Sequence, residues 1–580
     1  MPPSIPPTFH LGLCMAGAIS AGAYTAGVMD YLLEALDRWE QARLSGKPGV
    51  PGHRVMIDLM TGSSAGGMTA PITLATLLDR ETEHISDATY RYFTGKNRLY
   101  EAWVNLTADE MLPTLLGTGD LTKHGPASVL NSDFIDDIAD AIMRVPRQRK
   151  LTDIPYIAPD LEICLSLSNL TGIRDDLRFA NDSDREPTPN KAVQERGRRE
   201  VNDRFLTINH RDFGHFIYGN EYQNDGRIPF TLAPNDPNRL LLAECTKATG
   251  AFPIGLRWRK VKRKGMYLNQ SPLINPYATE AAFRHVTVTK PLFNDDFDYE
   301  SVNVDGGMLN NEPFEIANRL LCLRHGASAI NNDPNLTAGS VLMIDPFPSV
   351  DDGKPFLPKG KIALLDVIGQ LYSTMRTQLL FKQDEVADAV SLTKFSRFLM
   401  APTRKSRGGR EYIGSQAIAC GSLDGFGGFI ARDFRTHDFQ LGRRNCQRFL
   451  QRYFCVPYET TNPIFLQGYA DPVARKRFTV RREDGSLHLP ILPDINPKRI
   501  GFQPQVKQPV FPVFHIDTIS RMVYQNQDAI EERVSELLKG HGAPKLLRIA
   551  AGVFEQRLAP VVCELILDRL AEHGLVSNEK

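Results

Sequence analysis

The amino-acid sequence predicts an α/β fold with a mostly parallel central sheet, because the order strand, small-residue turn, helical segment occurs twice within the first 80 residues. The first unit joins an apolar strand at 9–17 to a long helical pattern at 20–41. The second joins an apolar strand at 55–62 to a helix-like segment at 64–78. Further short apolar strands later in the chain favour a sheet of several strands.

Local patterns predict the individual elements. In the first helix, Val28, Leu32 and Leu36 recur at four-residue spacing, and Ser20 is the predicted N-cap. Pro71 lies deep enough in the second helix to predict a kink. The later predictions are mixed helix and loop at 100–150, strands at 161–172, 301–307 and 339–347, an amphipathic helix at 362–398, a Gly/Arg-rich loop at 400–445 and two helical patterns between about 512 and 575.

The composition is that of an ordinary globular protein of 580 residues, with 42% hydrophobic and 23% charged residues. Its 68 basic residues balance 68 acidic ones, which argues against a dedicated nucleic-acid-binding protein. The sequence has no apolar run long enough to span a membrane and no secretory-signal pattern. The eight cysteines have no close pairs, which predicts reduced thiols. We therefore expect a cytoplasmic protein, with peripheral contact at the inner membrane surface as an additional option.

The sharpest local signal is Gly62-Ser63-Ser64-Ala65-Gly66, directly after the strand at 55–62. A Gly-x-Ser-x-Gly sequence between a strand and a helix is typical of a nucleophile elbow, a tight turn that pushes one serine out from the end of a sheet. Glycine is needed at positions 62 and 66 because side chains there would collide with the neighbouring strand and helix. The alternative is a Gly/Ser-rich connection without chemistry.

A serine nucleophile needs a base, and the best candidate is Asp305, which precedes Gly306 and Gly307. Asp305 is expected to end its strand, at the edge of the sheet where α/β active sites form. An aspartate that only opens a turn is the alternative. Histidine candidates for the base, none in a distinctive sequence context, are His325, His437 and His515.

A third signal is the small-residue turn Gly17-Ala18-Ile19-Ser20-Ala21-Gly22, between the first strand and the first helix. Consecutive N–H groups in such a turn can bind an oxyanion, although close packing of a helix on a sheet explains the same residues. Together, the three glycine-bearing turns would bring hydrogen-bond donors, a nucleophile and a base to one place.

In four segments taken in order, the sequence resembles the patatin-like phospholipases, which are serine lipid acyl hydrolases with a Ser–Asp dyad. The turn from Gly17 to Gly22 looks like the family's oxyanion loop. The motif at 62–66 matches its nucleophile motif, and Asp305-Gly306-Gly307 matches its Asp-Gly-Gly/Ala motif. LAECTKATGAFP (242–253) is similar to the family's Ala-Ser-x-Ala-x-Pro segment. The resemblance covers about residues 9–345.

The resemblance implies a patatin-like three-layer core in which Ser64 is the nucleophile and Asp305 the base. It also implies an oxyanion hole made by the backbone N–H groups of Gly17, Ala18 and Ala65. The implied substrate is membrane phospholipid or another acyl-ester lipid. No metal or cofactor is expected, because a Ser–Asp dyad needs none and no metal-ligand cluster is evident in the sequence.

The first motif departs from the family pattern. Ala18 and Ile19 replace two glycines, and Ala21 replaces the family's basic residue. Backbone N–H groups survive these changes, so an oxyanion hole remains feasible. The missing cation removes a helper charge near the anion and leaves open which phosphate-bearing substrates fit.

We predict two parts of the chain, a catalytic domain at 1–345 and a mostly helical C-terminal region at 346–580 that packs on it. An exposed, charge-dense insertion is expected within the first part, at about 176–210. Two segments of the C-terminal region resemble segments in some larger bacterial members of the family, but the sequence assigns them no role. They are GFGGF (425–429) and DFRTHDFQLGRRN (433–445). The sequence indicates no oligomeric state.

Two basic runs are candidates for contact with an anionic membrane. One is LRWRKVKRKG (256–265), which contains the cations from Arg257 to Lys264, and the other is RKSRGGR (404–410). A solvated hairpin with salt-bridged neighbours explains the first run at least as well.

The segment 100–118 has two interpretations. It could be a lid that turns Trp103, Met111 and Leu115 to lipid. Ordinary packing of these side chains in the core is favoured.

The predicted function is a serine lipid acyl hydrolase of the phospholipase A type. A soluble carboxylesterase or thioesterase on the same dyad is the alternative. A catalytically degenerate protein that binds lipid or a partner is a third hypothesis, and the altered glycine-rich turn supports it.

Overall fold

Ten strands form one mostly parallel central sheet flanked by helices, which confirms the predicted α/β class. The computed structural model describes residues 6–85, 93, 95–105, 111–121, 127–179, 204–253, 255–275, 286–288, 293–348, 395–539 and 558–578. The strands of the central sheet are β1 Thr8–Met15, β2 Arg54–Gly62, β3 Ile157–Phe179, β4 Arg204–Tyr218, β5 Ile228–Phe230, β6 Arg259–Lys264, β7 Val286–Val288, β8 Asp298–Asp305, β9 Gly339–Ile344 and β10 Arg397–Met400.

The sheet order is β10-β9-β1-β2-β3-β4-β5, with β7 and β8 also paired to β3 and with β6 paired to β8. The pairs from β10 to β3 are parallel, whereas β8 runs antiparallel to β3. Because β1 and β2 are parallel, their carboxyl ends lie at the same edge of the sheet.

The register of β3 explains how distant segments meet at this edge. Leu165 of β3 lies beside Gly62, the last residue of β2. Two positions further on, Leu167 lies opposite Asp305, the last residue of β8. Strand β8 therefore runs antiparallel to β3 toward this edge and ends beside the turn that follows β2.

Helices flank the sheet and also occur in the described part of the C-terminal region. They are α1 Gly22–Leu44, α2 Ser64–Leu78, α3 Arg98–Tyr100, α4 Leu112–Leu116, α5 Asp133–Ile142, α6 Pro237–Thr249, α7 Gly265–Asn269, α8 Phe314–His325, α9 Arg432–Arg452, α10 Pro463–Gly468, α11 Pro472–Arg477, α12 Ile516–Gln525, α13 Gln527–Lys539 and α14 Leu558–Glu572. Short strands outside the central sheet are β11 Thr403–Lys405, β12 Glu411–Ile413, β13 Cys455–Pro457, β14 Val480–Arg481, β15 Leu487–Pro490, β16 Phe514–His515 and β17 Val576–Ser577.

Helix α9 of the C-terminal region packs directly on α1 of the first βα unit. A Cβ on Gly27 would overlap the carbonyl oxygen of Phe439, and one on Gly442 would overlap the carbonyl oxygen of Tyr24. Glycine at both positions therefore lets the two helix backbones approach closely. The buried Arg443 of α9 pairs with Asp30 of α1, so a charge pair reinforces the contact.

Several sequence-based predictions are corrected. The loop predicted at 400–445 is wrong in its last part, because α9 begins at Arg432. Three described helices, α12 to α14, occupy the stretch for which two were predicted. Most of the helix predicted at 362–398 lies outside the described residues, and its end at Arg397 is already strand β10.

The predicted division at residue 345 stays a prediction, although β10, which lies beyond it, pairs with β9 in the central sheet. Most of the predicted insertion at 176–210 lies outside the described residues, and the long strands β3 and β4 flank it. Among the helices that the structure describes, none combines the length and the apolar character needed to cross a bilayer.

Candidate active site

Ser64 lies at the sharp turn between β2 and α2, as the sequence predicts. Its φ of 51° is in the left-handed region, which a non-glycine residue adopts only where the surroundings impose it. A Cβ on Gly62 would lie 2.5 Å from the carbonyl carbon of Gly66, and one on Gly66 would overlap the carbonyl oxygen of Met15. The two glycines thus permit the turn that exposes the serine to the end of the sheet.

Asp305 meets Ser64 across 241 positions of sequence. The Ser64 hydroxyl donates a hydrogen bond of 2.6 Å to Oδ2 of Asp305. Both residues are buried, with 6% and 3% of their surfaces exposed. The other carboxylate oxygen, Oδ1, accepts the N–H of Gly307 at 2.7 Å, and the Asp305 N–H donates to the carbonyl of Ala251 at 2.9 Å. The carboxylate is therefore held in one orientation toward the hydroxyl.

Thr249, the last residue of α6, fixes the backbone of the serine. Its hydroxyl oxygen accepts the N–H of Ser64 at 3.0 Å and donates to the carbonyl of Ser166 at 2.7 Å. Thr249 lies in the segment 242–253 that resembles a family motif, but the sequence does not distinguish it from its neighbours. The available signal was a side-chain hydroxyl at the end of a helix.

The glycine-rich turn lies directly against Ser64. A Cβ on Gly17 would come within 2.9 Å of Cβ of Ser64 and would overlap the side chain of Asn311. The N–H of Gly17 donates to the carbonyl of Asn311 at 3.2 Å, so this amide is already engaged. The N–H of Ala65 lies in the first turn of α2, where amides have no intrahelical acceptor.

Three further motif glycines are also needed for close approach. A Cβ on Gly22 would overlap the Trp103 ring, and one on Gly306 would overlap the carbonyl of Ser166. At Gly307 a Cβ would lie 2.8 Å from Oδ1 of Asn311. These glycines thus allow close packing against Trp103, Ser166 and Asn311.

Ser20 is not the N-cap of α1, which corrects the sequence-based prediction. The helix begins at Gly22 after a 3₁₀ turn, and Ser20 faces the C-terminal region instead. Its hydroxyl donates to the carbonyl of Gly425 at 2.5 Å and accepts the N–H of Gly428 at 2.9 Å. The segment at 425–429, to which the sequence assigned no role, therefore supports the glycine-rich turn through two hydrogen bonds.

Arg435 of α9 holds the segment at 425–429 in place through a further hydrogen bond. Its guanidinium donates to the carbonyl of Gly428 at 2.6 Å and to that of Val104 at 3.2 Å, and 1% of its surface is exposed. Arg435 lines the same cavity as Ser64 and Ile19. A cation from the C-terminal region thus lies in the cavity beside the turn that lacks the basic residue expected at position 21.

Two cavities meet at Ser64. One has a mainly apolar lining. The lining of the other is more polar, and its charged residues among those described are Asp305 and Asp424. The apolar cavity is lined by Ile19, Ser20, Ser64, Ala65, Met68, Ile72, Ala102, Trp103, Phe134, Ile135, Ile138, Gly250, Phe252, Leu256, Phe429 and Arg435. The polar cleft is lined by Gly17, Ala18, Ile19, Ser64, Phe252, Asp305, Gly307, Met308, Asn311, Phe347 and Asp424.

Asp345 supports one wall of the polar cleft. Burial raises the pKa of its carboxyl to about 7, although the hydrogen bond from the N–H of Phe347 acts in the opposite direction. That N–H donates to Oδ1 of Asp345 at 2.8 Å. Phe347, whose backbone is held in this way, lines the cleft.

The histidines considered as alternative bases have partners elsewhere. His325 lies 3.3 Å from a carboxylate oxygen of Asp58, and His437 contacts the neighbouring Asp438 at 2.7 Å. Nδ1 of His515 accepts the N–H of Asp517 at the start of α12. None of these contacts is with Ser64 or Asp305.

The basic run at 257–264 is only partly on the surface. Arg259 and Arg263 point inward from β6, where they pair with Asp136 and Asp212, respectively. Outward-facing cations of the run, Lys262 and Lys264, both pair with Asp298. The structure therefore favours the salt-bridged hairpin over a membrane-facing basic surface.

The two other surfaces considered for lipid contact are partly internal as well. Arg404 of the second basic run is buried and donates to the carbonyl of Ala417. In the segment at 100–118, Met111 and Leu115 are buried in the core, and Trp103 faces the apolar cavity. Core packing, which the sequence favoured, is confirmed for Met111 and Leu115.

Comparison with known proteins gives two findings. A family model described as Patatin-like phospholipase matches residues 13–318, just over half of the chain. The uncharacterized protein y4iI of Sinorhizobium fredii is 32% identical over 533 residues, which cover 84% of this chain and 71% of that protein. The similarity to y4iI thus extends beyond the family match into the C-terminal region.

Proposed function

This chain belongs to the patatin-like phospholipase family, which acts on lipid substrates, and from that premise we propose that it hydrolyses acyl esters of membrane phospholipid or a related lipid. The observation that carries the proposal is the 2.6 Å hydrogen bond from Ser64 to Asp305, beside a cavity with a mainly apolar lining. Ser64 is the proposed nucleophile and Asp305 the proposed general base.

In the first half of the reaction, Asp305 accepts the hydroxyl proton while Oγ of Ser64 attacks the ester carbonyl carbon. The tetrahedral intermediate then collapses, the bond to the alcohol breaks, and that alcohol takes the proton from Asp305. In the second half, Asp305 takes a proton from water, whose oxygen attacks the acyl-enzyme. Release of the fatty acid returns the proton to Ser64, so no other co-reactant is needed.

A carboxylate is a weak base toward an alcohol, so geometry has to compensate. The fixed orientation of Asp305, set by the N–H of Gly307, supports this role because little reorganisation precedes proton transfer. Exclusion of water from the buried pair strengthens the interaction further.

The proposed oxyanion donors are the N–H groups of Ala18 and Ala65. Each such donor contributes about 3–4 kcal/mol to transition-state stabilisation when it is well placed. The N–H of Gly17, included in the sequence-based prediction, is engaged by Asn311, so we assign Gly17 the role of giving the turn room against Ser64. The positive end of α2 favours the same negative charge.

The two cavities suit different parts of the substrate. The apolar cavity suits an acyl chain, since its lining is dominated by aliphatic and aromatic side chains. The polar cleft on the other side of Ser64 suits the alcohol, which carries the head group of a phospholipid. Action at a membrane surface follows as a proposal, which co-sedimentation with liposomes of varied charge and salt would test.

The test of the function is a lipid-class hydrolysis panel analysed by mass spectrometry, with wild type and Ser64→Ala side by side. Release of fatty acid that depends on Ser64 supports the proposal, and its absence for every lipid contradicts it. Comparison of micellar with monomeric substrate separates a lipase from a soluble esterase or thioesterase. Labelling of Ser64 by a fluorophosphonate separates both from a degenerate, non-catalytic protein.

We predict that Asp424 makes the head-group cleft unfavourable for anionic lipids. This exposed carboxylate lines the cleft, where like charges on a phosphate-bearing leaving group are repelled. Asp424→Asn is expected to raise hydrolysis of phosphatidylglycerol relative to phosphatidylcholine about threefold to fivefold, about 1 kcal/mol, in low salt. Asparagine tolerates the left-handed φ of 53° at this position, so the fold should be kept. An unchanged ratio would contradict a role for Asp424 in selection.

We predict that Gly428→Ala disturbs the oxyanion turn from the C-terminal side. The added methyl group would lie 2.6 Å from Oγ of Ser20 and 2.7 Å from Sγ of Cys420, which forces the turn to shift. A displacement of this kind is expected to lower kcat by about 10- to 100-fold. The matched control is Gly501→Ala, because no atom lies within 4 Å of its added Cβ. Wild-type kcat in Gly428→Ala would show that the contact between the segment at 425–429 and Ser20 does not affect catalysis.

A further inference from the structure

We propose that His10, Asp58 and His325 form a binding site for a divalent transition-metal ion such as Zn²⁺, remote from the serine. Their ligand atoms lie within 4.8 Å of one another. Asp58 precedes Gly62, the end of β2, by four residues, which is about 13 Å along a strand. The site is therefore separate from the proposed dyad.

The distances are close to those that a tetrahedral ion requires. Nδ1 of His10 lies 2.7 Å from Oδ2 of Asp58, and Nε2 of His325 lies 3.3 Å from the same oxygen. Ligand bonds of about 2.0–2.2 Å place neighbouring ligand atoms about 3.3 Å apart in a tetrahedron. Small side-chain rotations would thus admit the ion. The two histidines are about one-fifth exposed, so water can reach the fourth position.

A second observation points to a ligand at this place. Nε2 of His325 is shielded from solvent and forms no hydrogen bond with a described residue, although it faces the Asp58 carboxylate. The imidazole rings of His10 and His325 lie 3.8 Å apart between their centroids. Rings this close together can direct a nitrogen each toward one ion.

The strand geometry aims Asp58 at the two histidines. The pairing registers of β2 with β1 and with β3 both skip Asp58, which marks an irregularity of the bulge type. A bulge redirects a side chain out of the regular alternation. Here the redirected carboxylate meets His10 on the neighbouring strand and His325, the last residue of α8.

The surrounding charges leave room for a dication. Two arginines and four carboxylates form a network around the site. Arg324 pairs with Asp58, Asp160 and Glu162. Arg227 pairs with Glu162 and with Asp225. His215 also pairs with Glu162. The four carboxylates outnumber the two guanidinium groups by two, an excess that suits a divalent cation.

The ion would connect β1, β2 and the end of α8. The start of α8, at Phe314, lies three residues after Asn311, which contacts Gly17 and Gly307 beside the dyad. Metal binding would therefore fix the end of α8 at His325, and the start of α8 directly follows the loop that contains Asn311. The sequence predicted no ligand cluster, because the three residues are separated by 48 and 267 positions and acquire meaning only in the fold.

The test is titration of chelator-treated full-length protein with Co²⁺, whose visible absorption reports tetrahedral coordination, followed by competition with Zn²⁺. We expect one ion per chain in wild type, and affinity at least about 100-fold lower in His10→Gln and in His325→Gln. His84→Gln is the matched control, since His84 also pairs with one carboxylate, Asp37, but without a second histidine. Zn²⁺ should raise the melting temperature of wild type and His84→Gln only.

Three results would overturn the proposal. One is the absence of a stoichiometric ion in wild type. Another is equal affinity in wild type and His325→Gln, with both proteins folded by circular dichroism. The third is a Co²⁺ spectrum dominated by thiolate charge transfer, which would assign the ion to one of the eight free cysteines.

Discussion

Ser64→Ala is expected to reduce lipid ester hydrolysis by about 10⁴-fold or more, to the background rate. The hydroxyl of Ser64 is the group that the proposed mechanism joins covalently to the acyl chain, so no acyl-enzyme can form without it. Removing one oxygen from a buried turn residue leaves the packing around it in place. The measurement is fatty-acid release by mass spectrometry, with the melting temperature recorded for the same sample.

Ser63→Ala is the matched control for this prediction. Ser63 is the other serine of the motif, is equally buried, and its hydroxyl forms no hydrogen bond with a described residue. We expect near wild-type activity and fluorophosphonate labelling in Ser63→Ala, and neither in Ser64→Ala. Labelling of Ser64→Ala would assign the nucleophile to another residue and contradict the mechanism.

The sequence was sufficient to predict the fold class. An apolar strand followed by a glycine-bearing turn specifies a sharp bend at Ser64, whereas the pairing of Ser64 with Asp305 was predicted from the family resemblance. The structure brings the two side chains within hydrogen-bonding distance. The local pattern could not predict the register of β3, which pairs Gly62 with Leu165 and Asp305 with Leu167, only two positions further along β3. That convergence is a property of strand pairing over long sequence distances.

The contribution of the C-terminal region could not be predicted. Gly428 and Arg435 lie more than 400 positions from Ser20 in sequence, and only the packing of α9 on α1 brings them to the turn. The sequence left the basic run at 257–264 open between a membrane-facing surface and a salt-bridged hairpin. Alternation along β6 turns every second residue inward, but whether an inward arginine finds a carboxylate, as Arg263 does, depends on other strands.

Asp305→Asn is expected to lower kcat by roughly 10²- to 10⁴-fold, toward the upper end because the mechanism contains no other base. Asparagine keeps an oxygen that can accept the N–H of Gly307, so the loop geometry should persist. The amide cannot take the proton of Ser64, and the attack on the ester is therefore lost with little change in KM. Steady-state kinetics on a micellar substrate would measure both constants.

The competing triad hypothesis predicts a different pattern. If one of the three histidines were the base, its glutamine variant would lose activity while Asp305→Asn retained it. We expect the reverse, with near wild-type kcat in His515→Gln, because the described contact of that side chain is a helix cap. Full activity in Asp305→Asn, together with loss of activity in one histidine variant, would replace the dyad by a triad.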